Sequence, residues 1–222
     1  MSESGAEHPH VVVMAKVPVP GRVKTRLIPL LGADGAAGLC RAMTEDTLAM
    51  VRSYEGLRWR VALDGDLDDP WVRGLGAAVE PQASGDLGAR LRHALRDGGI
   101  AIGTDSPTLP RGFLHGAMLL LRQDQVVFGP AFDGGYVLVG VRGPEALGVF
   151  DSIPWSTAET CAASVERARA LHLTCGTLGF WYDVDTPADL TFLRNHLRTL
   201  DPTVAPHTRA FLQDSPHAAP HR

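Results

Sequence analysis

Four cations, Lys16, Arg22, Lys24 and Arg26, crowd one short stretch directly behind the apolar run Val11 to Ala15. Ammonium and guanidinium groups gathered at the carboxyl end of a buried strand suit a phosphate-bearing ligand, because open α/β sheets bind ligands at that edge. Pro18, Pro20 and Gly21 shape the intervening loop: proline fixes φ and glycine permits the bend. Neither common phosphate loop fits. Lys24 and Thr25 follow Arg22 and Val23 where a P-loop needs its second glycine, and the G-x-G-x-x-G pattern is absent. A merely solvated basic surface is the plain alternative. The stiffening prolines weigh against it, since such a surface has no need of a fixed backbone.

Three further regions carry carboxylates of interest. Asp105 closes the small apolar run Ile100 to Gly103 after Thr104, and Pro107 and Pro110 delay the next helix, so its side chain is aimed into the crevice. A lone aspartate there serves either as a turn cap or as a metal ligand. Asp133 lies in GPAFDGG, where Gly129, Gly134 and Gly135 suit a backbone pressed against a ligand or a tight hairpin. In WYDVDTPADL, Asp183 and Asp185 flank Val184, and only one of them is expected to face a metal shared with Asp105. Asp185 and Pro187 also suit a helix start, with Asp189 favoured by the helix dipole. In QASGDLGAR, Gly85 and Gly88 allow close backbone approach, and Asp86 caps the following helix. Trp155, in DSIPWST, is either core or a platform for an acceptor, and Ser156 or Thr157 is a cap for the helix behind it.

The elements that must position these residues follow from periodicity. Strands are predicted at 11–15, 57–63, 77–81, 100–103, 125–128, 136–141 and 173–178, and amphipathic helices at 33–51, 87–96, 112–122, from about 157 to 171, and from about 187 to 200. Alternation of strand and helix predicts an α/β protein, a three-layer αβα sandwich with a mostly parallel, Rossmann-like sheet. Residues 1–200 read as a single domain and 201–222 as a mobile tail, where His207, His217 and His221 lack a metal-site pattern.

Composition sets outer bounds. A formal charge of −4 over 222 residues argues against nucleic acid or an anionic membrane as partner, so an anion site must be local. Cys40, Cys161 and Cys175 have neither zinc-site nor disulfide spacing and read as buried thiols in a reducing compartment. With a polar start and no apolar run near the length that spans a bilayer, the expectation is a soluble, cytoplasmic protein.

Taken in order, AKVPVPGRVKTRL, GDLGARL, GTDSP, GPAFDGGYVLVG, IPWST and YDVDTPADL resemble a small bacterial family of GT-A-fold, nucleotide-diphospho-sugar-transferase-like glycosyltransferases, some of them arsenosugar-linked. The likeness spans His10 to Leu200. More distantly, the first and last motifs are similar to the 2-phospho-lactate guanylyltransferases and the CMP-sugar synthetases, both nucleotidylyltransferases. The resemblance implies a GT-A-type sheet that binds a nucleotide. Lys16, Pro20, Gly21, Arg22, Lys24 and Arg26 would hold its phosphates, with Gly85, Asp86, Gly88, Arg90 and Thr104 around the rest of it. Asp105 and Asp185, with Asp183 as the lesser choice, would hold magnesium or manganese, whose preferred ligands are oxygens. Asp105 stands without the paired Asp-x-Asp of many glycosyltransferases, and the interval from Arg90 to Gly103 is short for the family.

The resemblance implies metal-dependent glycosyl transfer from a nucleoside diphosphate sugar to a small-molecule acceptor. Lys24 and Arg26 would neutralise the departing diphosphate, Asp133 would act as base or orient the acceptor, and Gly134, Gly135 and Trp155 would line the acceptor side. Nucleotidyl transfer from a nucleoside triphosphate, releasing pyrophosphate, needs the same residue types. A non-catalytic nucleotide-binding protein is the third reading, disfavoured because a retired site has no need of mutually repelling acids.

Overall fold

Strand β1 (Val11–Lys16) buries its valines on both faces because it lies in the interior of the sheet. The computed structural model describes residues 10–214. From β1 the chain passes the basic loop and a 3-10 turn at Thr25–Leu27 into α1 (Ile28–Arg52). That helix kinks at Gly32, whose φ of 71° is open to glycine at little cost, so the helical segment begins ahead of the position its periodicity predicts. Next come β2 (Trp59–Asp64), a single turn α2 (Pro70–Arg73), β3 (Val79–Pro81), α3 (Leu87–Ala94), β4 (Gly99–Gly103) and α4 (Arg111–Leu120). A hairpin of β5 (Val126–Pro130) and β6 (Tyr136–Val141) leads to a 3-10 segment at Pro144–Phe150, then α5 (Thr160–Ala170), β7 (Cys175–Thr177), α6 (Pro187–Thr199) and α7 (Pro206–Asp214).

The 7 strands form one mixed sheet in the order β3-β2-β1-β4-β6-β5-β7. Strand β1 pairs in parallel with both β2 and β4, so that Val13 lies between Val61 and Ile102. Strand β6 alone runs against its neighbours, antiparallel to β4 and to β5. The chain builds outward from β1 through β2 and β3, then returns to the other flank of β1 as β4. The loops leaving β1 and β4 therefore diverge, which opens a crevice at the carboxyl edge.

Helices cover both faces, as the strand alternation requires. Val11, Val13, Ile100 and Ile102 pack with Leu48 and Val51 of α1 and Leu114, Ala117 and Met118 of α4. On the opposite face, Val12, Ala101, Phe128 and Val139 meet Leu91 and Ala94 of α3 and Ala168 of α5. A third cluster joins Leu39 and Met43 of α1 to Leu190, Leu193 and Leu197 of α6 and Leu212 of α7. Among the described residues no helix is long and apolar enough to cross a membrane.

Three sequence expectations need correction. The stretch read as a mobile tail from 201 contains α7, whose first amides, of His207 and Thr208, donate to the buried carboxylate of Asp46 at 2.9 and 2.8 Å. Phe211 of α7 packs so closely on Gly38 that a Cβ there would come within 2.7 Å of its ring. The remainder of that stretch, with His217 and His221, lies outside the described residues. Neither Ser156 nor Thr157 is the N-cap of α5, which starts at Thr160 after Glu159, although the Thr157 hydroxyl does accept from the Glu159 amide. The cap of α6 is Thr186 rather than Asp185: its hydroxyl accepts from the Asp189 amide and the Asp189 carboxylate accepts from the Thr186 amide. That capping box leaves the Asp185 side chain available for other contacts.

Candidate functional site

Loops leaving β1, β3, β4 and β7, together with the β5–β6 hairpin, enclose a cavity of about 910 Å³ at the carboxyl edge of the sheet. Lys24 ties three of its walls together. Its ammonium lies 2.5 Å from Asp105 Oδ1 and 2.7 Å from Asp185 Oδ1, and donates to the Val184 carbonyl at 2.7 Å. Only 4% of the Lys24 side chain is exposed, against 48% for Asp105 and 40% for Asp185. Burial alone would push the amine down, but the two carboxylates overcome this and hold it charged, well above its ordinary range. Lys24 adopts a left-handed backbone, with φ 46° and ψ 43°, a strain of about 1 to 3 kcal/mol for a residue with a side chain.

Around this centre the cavity has walls of opposite charge. Lys16, Arg22 and Arg26 line it and form no ion pair among the described residues. Asp133 and Asp183 line it as well. Asp183 is pushed up to about 6, first by burial and then by the neighbouring charges of Asp133 and Asp185. The expectation that only one of Asp183 and Asp185 faces the site is overturned: both line the cavity while Val184 between them is buried, because residues two apart in an extended chain share a side. Asp133 Oδ1 accepts from the Gly135 amide at 2.8 Å and so shapes its own turn.

Other expected site residues divide into two groups. Gly85, Asp86, Arg90, Thr104 and Gly135 line the cavity, whereas Pro20, Gly21, Gly88, Gly134 and Trp155 do not. Asp86 caps α3 by accepting from the Ala89 amide. A Cβ at Gly88 would lie 2.7 Å from the Trp155 indole nitrogen, so that glycine makes room for the tryptophan. Trp155 packs with Tyr136 and Phe150 and belongs to the core on that side. Gly134, at φ 92°, is pressed against the Ala158 carbonyl rather than against the cavity.

Sequence reasoning passed over several lining residues. Gln82 donates to the carbonyls of Ala15 and Ala62, closing the ends of β1 and β2, and accepts from Arg90. Arg90 also pairs at 2.7 Å with Asp64, the last residue of β2, which holds this cation of the site in place. The signal for both was position: each stands at the carboxyl end of a strand. Cys40 lines the cavity from α1, its thiol pushed up to about 11 by burial and by the charge of Asp105.

Asp105 and Asp185 each retain a second oxygen with no hydrogen bond among the described residues. No group of three or more His, Cys, Asp and Glu side chains there is placed to hold a metal. This donor set fits magnesium or manganese taken up with a phosphate, since magnesium is usually bound by one or two carboxylates plus substrate oxygens rather than by a full protein cage.

Residues 47–157 match the model of a family described as "Uncharacterized protein conserved in bacteria (DUF2064)". A structure described as a candidate nucleotide-diphospho-sugar transferase from Desulfovibrio desulfuricans G20 is 31% identical, with a TM-score of 0.84 over 92% of this chain and 94% of that chain. A CMP:2-keto-3-deoxy-manno-octonic acid synthetase complexed with CTP is 16% identical, TM-score 0.54, covering 86% of this chain and 99% of that one. The 2-C-methyl-D-erythritol 4-phosphate cytidylyltransferase of Thermus thermophilus gives 16% and 0.55 over the same shares. These last two share the fold. No curated protein matches the chain. The resemblance carried by the six ordered motifs is thus confirmed at the level of family and fold.

Proposed function

The chain belongs to the DUF2064 family, and from that premise we propose that it is a transferase moving a glycosyl group from a nucleoside diphosphate sugar to a small-molecule acceptor. One observation carries the reading: the Lys24 ammonium joins Asp105 and Asp185 inside a cavity that Lys16, Arg22 and Arg26 also line. Those three cations bind the diphosphate and offset the charge that grows on it as the sugar departs. Asp105 and Asp185 would hold magnesium or manganese, which when bound would supply further positive charge to the leaving diphosphate. Asp133 faces the cavity from the hairpin and orients the acceptor, taking its proton where the acceptor is a hydroxyl or thiol. Asp64 and Gln82 fix Arg90 at the end of the cavity away from the hairpin, beside the nucleoside.

The likeness to the candidate nucleotide-diphospho-sugar transferase of Desulfovibrio desulfuricans extends over 92% of the chain at 31% identity, whereas the cytidylyltransferases are related by fold alone. Product analysis separates the two chemistries. Purified protein incubated with sugar nucleotides and acceptors is expected to release nucleoside diphosphate; pyrophosphate from triphosphates and a sugar phosphate would replace this reading with nucleotidyl transfer. A thermal-shift screen of sugar nucleotides, with and without magnesium or manganese, tests binding itself, since ligand at a hundred times its dissociation constant adds about 2.7 kcal/mol. No shift with any nucleotide would remove both readings.

A further inference from the structure

Both lysines of the chain, Lys16 and Lys24, lie in the stretch after β1 opens onto the cavity, and every other one of its 21 basic side chains is an arginine. An ammonium is a compact charge with three rotatable donors, while a guanidinium is a rigid planar fork. Lys24 uses all three donors on three oxygens, those of Asp105, Asp185 and Val184. The contact is closed on the lysine side and open on the carboxylate side. With 48% and 40% of the two carboxylates exposed, a cation entering from the cavity reaches them without first passing the buried amine.

The charge count leaves room for such a cation. Within the trio one ammonium faces two carboxylates, a local surplus of one negative charge in a cavity that Lys16, Arg22 and Arg26 also line. A doubly charged ion offsets that surplus better, but it cannot share the pair with the amine without strong repulsion. The loops do not need the amine to stay in register, because the Val184 amide donates to the Asp105 carbonyl at 2.9 Å.

Resting on the transferase reading, we propose that Lys24 is an exchangeable counter-ion. It holds Asp105 and Asp185 in the metal-free protein, gives them up to magnesium or manganese, and turns its freed ammonium to the nucleotide phosphates beside Arg22 and Arg26. Lys24 and the metal are therefore alternative occupants of the carboxylate pair, and the phosphate site is completed only after the exchange.

Two measurements on the full chain test this with manganese alone as the probe. Electron paramagnetic resonance of free manganese gives its affinity for the natural protein and for Lys24→Met. Removal of a like charge at contact distance is expected to tighten binding by about tenfold or more, and Asp105→Asn in the Lys24→Met background is expected to abolish it. Acylation by an N-hydroxysuccinimide ester, read by mass spectrometry, gives the reactivity of Lys24 with Lys16 as internal reference. Manganese is expected to raise Lys24 labelling several-fold relative to Lys16. Equal manganese affinity in the two proteins, no binding by Lys24→Met, or unchanged Lys24 labelling in the presence of manganese each overturns the proposal. Should Lys24→Met fail to fold, labelling of the natural protein decides alone. A nucleotide-induced thermal shift with unchanged Lys24 reactivity sinks the exchange and spares the transferase reading; exchange without any nucleotide shift does the reverse.

Discussion

The Val184 amide donates to the Asp105 carbonyl at 2.9 Å, and the carboxylates on either side of that bond, of Asp105 and Asp185, share one ammonium. The loop after β4 and the loop before α6 are thus joined twice, once through the main chain and once through side chains.

Asp105→Asn and Asp185→Asn each leave the buried Lys24 with a single counter-charge. Loss of one partner of a buried pair costs about 3 to 5 kcal/mol, and the half-exposed carboxylates bring the expected loss nearer about 2 kcal/mol. Urea unfolding gives the value, and the double variant should depart from additivity because both changes act on the same amine. A loss below about 0.5 kcal/mol in both single variants would show that the ammonium is not held by these charges.

Stability should fall as pH rises through the acidic range on account of Asp183. Burial and its acidic neighbours place this group at about 6, above the unfolded value of about 3.9. The folded state then binds the proton more tightly than the unfolded chain, so protonation stabilises the fold below pH ~4, and that stabilisation is lost as pH rises through about 6. Asp183→Asn should melt higher than the natural protein near pH ~7.5, with the gain shrinking towards pH ~4. A gain independent of pH would contradict the assignment.

Asp46→Ala should release α7 while sparing the sheet. The carboxylate receives the amides of His207 and Thr208, and its loss leaves both without that acceptor, at about 1 to 2 kcal/mol. Hydrogen exchange should show lost protection confined to 206–214 and the facing turns of α1; uniform loss across the sheet would refute a local role.

Gly134→Ala should be far costlier than Gly21→Ala, although both residues have positive φ. A Cβ at Gly134 would lie 2.0 Å from the Ala158 carbonyl oxygen, while one at Gly21 meets nothing within 4 Å. About 1 kcal/mol is expected at Gly21 and about 3 kcal/mol at Gly134, compared by urea unfolding midpoints.

The strands and most helices were legible because their apolar periodicity matched their burial: Val11 to Ala15 for a strand covered on both faces, Leu190, Leu193 and Leu197 for one stripe of α6. Strand direction was not, since the run Val137 to Val139 reads alike in either orientation and only pairing shows β6 to be reversed. The meeting of Lys24 with Asp185 across the chain was legible through family resemblance rather than through spacing. Alternation, correctly applied, puts Asp183 and Asp185 on one side of the chain with Val184 buried on the other, so the expectation that only one faces the site had no basis in spacing. Helix α7 escaped notice because its support, Asp46, comes from a distant helix and leaves no local signature.

Because β6 alone runs backwards, it is its beginning at Tyr136, not its end, that meets the crevice, and the short link Ala131 to Gly135 is delivered there with it. Had that strand run with the others, its connection to β5 would have had to cross back over the sheet, and the short link that now carries Asp133 would not exist. A two-ended anchor of this kind lets evolution lengthen or trim the link between two fixed posts. The link can therefore change in length without disturbing the cavity lining contributed by β1 and β4.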